Sequence, residues 1–154
     1  MKLTELFFYQ LQVSKTYEVL PRLLEKTLEK RKRALVLGQS DEEVIRLSEL
    51  LWSYKADSWL PHGSIEEPFS EKHPVLLSKN VCTVNDATFL FVLNGVLPNS
   101  IEAFERCSVL CDEHAIESIS SLRKKYSKNT KNKYHVTFWQ EDRNGRWHAV
   151  EGPS

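Results

Sequence analysis

The chain has 154 residues, 41% of them apolar, with 21 basic and 21 acidic side chains; it is long enough for one core burying roughly two thirds of the unfolded surface, and a second independent domain is not expected. No apolar run approaches the ~18 residues that span a bilayer. Residues 1–10 carry Glu5 where a secretory leader has a basic stretch, so a soluble, cytoplasmic protein is expected. The neutral total hides a segregated charge: residues 118–140 hold six basic side chains and no acidic one, leaving 15 basic against 21 acidic elsewhere. A local field of one sign attracts an oppositely charged partner whatever the net charge.

In chain order, Leu3 to Leu11 is continuously apolar and aromatic and reads as a strand covered on both faces. Tyr17 to Lys32 places Val19, Leu20, Leu23, Leu24 and Leu28 at helical spacing, with Pro21 assigned to the first turn, where a missing N–H is harmless. Ala34 to Leu37 is a short apolar strand. Ser40 and Glu43 form a capping box that opens a helix with Val44, Leu47 and Leu51 as its buried stripe and an end near Trp52. Trp59 to Gly63 reads as a turn, followed by a polar loop through His73.

Pro74 to Ser78 is a brief strand, and Thr88 to Leu93 a strong one closed by the turn signal Asn94-Gly95. Ile101 to Phe104 suits one turn of helix, and Arg106 to Cys111 a further apolar strand. Ala115 to Lys128 is the last helix, with Ala115, Ile119, Leu122 and Tyr126 on one face. Tyr134 to Gln140 alternates as a strand, and Asp142 to Gly145 turns it into a hairpin ending at Trp147. Strands alternating with helices predict βαβ units and a mainly parallel sheet between helical layers, in a single domain over residues 1–154 with a loose tail from residue 148.

A doubly wound sheet makes nucleotide binding the first idea to check. The second strand ends in Gly38-Gln39-Ser40, one glycine where a dinucleotide turn needs three and with no Gly-Lys-Ser/Thr ending. The histidines, His62, His73, His114, His135 and His148, are scattered singly, without metal-ligand spacing. Cys82, Cys107 and Cys111 make neither a disulfide framework nor a Cys-x-x-Cys pair. No nucleophile elbow accompanies a Ser/His/Asp set. No cofactor, metal or catalytic residue is expected.

Two surface features remain. Trp52 and Trp59, the latter in Ser-Trp-Leu-Pro-His-Gly, suit a protein-partner anchor, since Trp beside Leu and Pro supplies large contact area at low entropy cost; each also suits a core plug. Arg123 lies one turn before Tyr126 on the last helix, flanked by Lys124 and Lys128, so a guanidinium and a ring line one site. That pairing fits a peptide with a carboxylate beside an apolar side chain. Single-stranded nucleic acid is the alternative partner, because Tyr134, Phe138 and Trp139 follow the lysines as stacking surfaces.

The order of these landmarks resembles the chi subunit family of the bacterial DNA polymerase III holoenzyme. The resemblance is carried by Phe7-Phe8-Tyr9, the basic segment before Ala34-Leu35-Val36-Leu37, Arg46 to Trp52, Ser58-Trp59-Leu60-Pro61-His62-Gly63, Pro74-Val75, Arg123 with Tyr126, and Trp147. It implies a Rossmann-like three-layer α/β/α sandwich with a mainly parallel mixed sheet and no nucleotide-binding loop. It also implies a non-catalytic replication subunit that links the clamp loader, through its psi subunit, to the acidic C-terminal tail of single-stranded-DNA-binding protein. Carried over by position, Trp52, Trp59, Leu60 and Pro61 fall on the psi-facing surface. Arg123, Lys124, Tyr126 and Lys128 fall in the tail pocket, with Cys111 near its floor. The chain departs from the family in having Ser127 after the tyrosine, a lysine-rich Asn129 to Lys133 loop and an extension past Trp147. A direct single-stranded nucleic-acid-binding module, or a nucleotide-using α/β enzyme, are the competing readings.

Overall fold

The computed structural model describes residues 3–53, 62–64, 70–93, 97–98, 101–112, 121, 124 and 134–150. Its elements are β1 (Thr4–Gln10), α1 (Thr16–Glu29), β2 (Ala34–Leu37), α2 (Asp41–Ser53), β3 (His62–Ser64), β4 (Val75–Ser78), β5 (Phe89–Leu93), β6 (Arg106–Cys111), β7 (Tyr134–Glu141) and β8 (Trp147–Val150), with a short 3-10 turn at Ser70–Lys72. The strands form one mixed, mostly parallel sheet in the order β3-β4-β2-β5-β6-β1-β7-β8, the α/β architecture of a three-layer sandwich. Two compact units divide the chain, residues 1–16 with 92–154, and residues 17–91.

In the first unit β1 lies between β6 and β7, parallel to both, so that Gln10 is level with Cys111 on one side and Gln140 on the other. Every β6 residue after Arg106 is buried, as a continuously apolar run in a parallel sheet requires. β1 differs from the two-sided burial expected of it. Thr4, Leu6 and Phe8 are buried, with Phe8 stacked on Phe138 at 5.0 Å, whereas Glu5, Phe7 and Tyr9 are half-buried. This second face is an aromatic cluster. Phe7 meets Tyr9 and Trp139 edge-on, Tyr9 meets Trp147 at 5.6 Å, and the Arg106 guanidinium lies 4.6 Å above the Phe7 ring while pairing with Glu5.

β7 and β8 form the expected hairpin. Asp142 and Arg146 close a three-residue loop through Asp142 N–H to the Arg146 carbonyl at 2.8 Å, with Gly145 at φ +79° in the left-handed position this loop needs. Oδ1 of Asp142 accepts the Asn144 and Arg146 amides, and His148 Nε2 reaches Oδ2 at 2.8 Å; the Arg146 amide and His148 hold this carboxyl below its usual range. β8 carries ordered pairing to Val150, three residues into the stretch expected as a tail. Ile101 to Phe104 is a turn, with the Phe104 N–H on the Ile101 carbonyl at 3.0 Å, and not a turn of helix.

In the second unit β4 pairs in parallel with β2 and β3. β4 and β5 are buried throughout. Helix α1 stops earlier than its apolar spacing suggested. Arg31 takes φ +60°, and the Lys32 N–H reaches back to the Thr27 carbonyl at 3.1 Å, a Schellman-type ending around a non-glycine residue. Pro21 is the sixth residue of α1 and lies beyond its first turn, so the helix forgoes the bond from residue 21 to the Tyr17 carbonyl. At the start of α2 the Ser40 hydroxyl accepts the Glu43 amide at 3.1 Å, as expected, while the Glu43 carboxylate accepts from Gln39 one residue earlier than a standard capping box. His62 and Gly63, expected in a turn, are strand residues of β3, because β4 offers a parallel edge that the local sequence does not reveal.

Candidate functional site

Among the residues expected to form the partner surface, Trp52 is described, and it is 64% exposed at the end of α2. It is not a core plug. Its indole rests on the imidazole of His62, ring centres 4.5 Å apart and planes tilted by 52°. His62 is itself buried in β3, and its Nε2 donates to the Ser48 carbonyl at 3.2 Å. Ser53 closes the helix end by donating its hydroxyl to the Glu49 and Leu50 carbonyls. Ile45, two turns before Trp52 on the same side of α2, is also exposed. Periodicity marks the face of α2 that turns to the core, through Leu47 and Leu51, but carries no signal that singles out an apolar residue on the opposite face. Trp59, Leu60 and Pro61 lie outside the described residues.

Arg123, Tyr126 and Lys128 likewise lie outside the described residues. Lys124 and Ser121 are helical and exposed, in keeping with the helix expected there. Cys111 ends β6 with its side chain buried, and its carbonyl accepts the Leu11 amide at 2.9 Å. Of the β7 aromatics that would stack bases, Phe138 is buried on Phe8 and Trp139 packs edge-on against Phe7, while Tyr134 is half-buried with its hydroxyl donating to Glu102 at 2.9 Å.

The carboxyl ends of β1 and β7 border a cleft of about 340 Å³ lined by Gln12, Gln140, Glu141, Asp142, Arg143 and His148. In doubly wound nucleotide-binding folds the amides after the first strand cradle phosphate. Here Oε1 of Glu141 accepts the amides of Gln12, Val13 and Ser14 at 2.7 to 2.9 Å, and Oε2 accepts the Ser14 hydroxyl. The chain's own carboxylate occupies the loop's donors. Burial acts to raise the Glu141 pKa, but the bonds from Ser14, Gln12 and Val13 prevail and hold it below the ordinary carboxylate value. No cluster of three or more metal-ligating side chains occurs among the described residues.

The sequence model of the family described as "DNA polymerase III chi subunit, HolC" matches residues 3–137. The chain belongs to the DNA polymerase III chi subunit family. A protein of Rickettsia prowazekii (strain Madrid E), named "Probable DNA polymerase III subunit chi", is 22% identical over 136 residues, covering 84% of this chain and 81% of that protein. As a chi-family member the chain is an accessory subunit of the replicative polymerase. Trp52, His62 and Cys111 all fall inside the matched stretch, whereas Glu141 and Trp147 lie beyond it. No described helix is long and apolar enough to cross a membrane.

Proposed function

We propose that this chi-family chain is a non-catalytic linker, joined to the clamp loader through a psi subunit and holding the acidic C-terminal tail of single-stranded-DNA-binding protein. The observation that carries the tail half is the segregated charge: six cations and no acid in residues 118–140 of a formally neutral chain, with Lys124 exposed on helical backbone. An acidic tail ending in an apolar side chain and a free carboxylate needs a cationic rim around an apolar pocket, which Arg123, Lys124, Tyr126 and Lys128 supply, with Cys111 beneath. For the psi half, the exposed Trp52 is the supporting observation, with Trp59, Leu60 and Pro61 following in sequence.

Isothermal titration with a short acidic tail peptide, with and without its terminal apolar residue, tests the reading. Binding that requires the terminal residue supports it. Equal affinity for both peptides, or none, removes the pocket. Binding to bare oligonucleotides with a steep salt slope would favour direct recognition of single-stranded DNA instead.

A further inference from the structure

We infer that His62 is a positioning residue for Trp52: it holds the indole outward in one orientation, ready to be inserted into a partner. This rests on the reading of Trp52 as a partner-facing residue. Three observations within residues 17–91 support it. The indole of Trp52 is mostly in solvent, yet its ring centre lies 4.5 Å from that of the buried His62 imidazole, the two planes tilted by 52°. An exposed Trp without such a support would lose rotamer freedom on binding, and that loss weakens association.

The second observation concerns the backbone. His62 Nε2 donates to the Ser48 carbonyl, which in helical register is the acceptor of the Trp52 N–H. The Ser48 hydroxyl lies 3.5 Å from the same nitrogen. One imidazole therefore touches Trp52 twice, directly through its ring and indirectly through the carbonyl that anchors the last turn of α2.

The third observation is that His62 is itself firmly held. It is 4% exposed and paired with Val75 in the β3–β4 ladder. Its neighbour Gly63 lies close against His73, and a Cβ there would sit 2.4 Å from that ring, so a side chain at 63 would force the His73 ring to move. The glycine thus lets β3 lie against His73, and the histidine projects from that strand beneath Trp52.

Two substitutions separate the ring from the hydrogen bond. His62→Phe keeps a ring under the indole and removes the donor; His62→Gln keeps a donor and removes the ring. The full chain labelled with 5-fluorotryptophan gives a Trp52 resonance, assigned by its loss in Trp52→Phe, and recombinant psi subunit from the same cell gives the affinity. The inference expects His62→Gln to shift and broaden the Trp52 resonance and to weaken psi binding about tenfold or more, with His62→Phe retaining the resonance width and most of the affinity. It is overturned if both variants fold and the Trp52 resonance is unmoved in His62→Gln, or moves with no change in affinity. Unchanged psi affinity in Trp52→Ala would instead overturn the partner-surface reading, leaving the fluorine measurement to decide the role of His62 alone.

Discussion

Glu141, the last residue of β7, binds Ser14 through both backbone amide and hydroxyl across 127 positions of sequence, and the same carboxylate takes the amides of Gln12 and Val13. Its side chain is 0% exposed. Glu141→Gln keeps the shape but loses the charge that strengthens these bonds, and the expected loss of stability is about 1–3 kcal/mol by urea unfolding. The folded-state pKa lies below the ordinary value of 4.5, so the stabilisation is present above that value and disappears as pH falls through the lower folded one. The variant should lose this part of the acid sensitivity. Parallel stability–pH curves for the two proteins would refute the role assigned to the carboxylate.

Arg31 ends α1 in the left-handed region at φ +60°. A side chain there is strained, and glycine is not, so Arg31→Gly should stabilise the protein by about 1 kcal/mol in equilibrium unfolding. A loss of stability would mean that the Arg31 side chain contributes more than its backbone strain costs.

The cysteines differ in exposure. Cys107 and Cys111 are buried, and burial pushes the Cys107 thiol well above its ordinary pKa; Cys82 is half-exposed. Under native conditions a thiol reagent should modify one cysteine per chain rapidly, identified as Cys82 by peptide mapping, with the other two reacting at the rate of unfolding. Fast labelling of Cys111 would place its thiol at the surface and change its part in the proposed tail pocket.

Arg123→Ala and Tyr126→Ala should each weaken binding of the acidic tail peptide by about 1–3 kcal/mol in isothermal titration, as truncation of an interface anchor does. Lys124→Ala, at an exposed helical position, should change mainly the salt dependence of association. Unchanged titrations for both Arg123→Ala and Tyr126→Ala would dismiss the site.

Trp59→Ala is expected to leave the fold intact and to abolish co-purification with the clamp-loader partner. Loss of the unfolding transition in that variant would assign Trp59 to the core instead.

The local sequence determined those parts of the chain whose structure depends on nearby residues. Ala34–Leu37 and Arg106–Cys111 are strands with the expected bounds, because continuously apolar segments of that length suit buried parallel strands. The Ser40 cap and the Asp142–Gly145 turn were legible because their hydrogen bonds close within a few residues. The family was legible too, since the order of landmarks survives without coordinates. Tertiary structure alone decided the rest. Whether Trp52 faced core or solvent depended on what packs against α2, and β3 required the edge of β4, whose partners lie 13 residues further on. The grip of Glu141 on residues 12–14 joins the two ends of the chain, and no periodicity records which distant carboxylate will meet three unpaired amides. Patterns of a few residues follow from backbone geometry, but exposure and long-range hydrogen bonds follow from which surfaces the folded chain brings together.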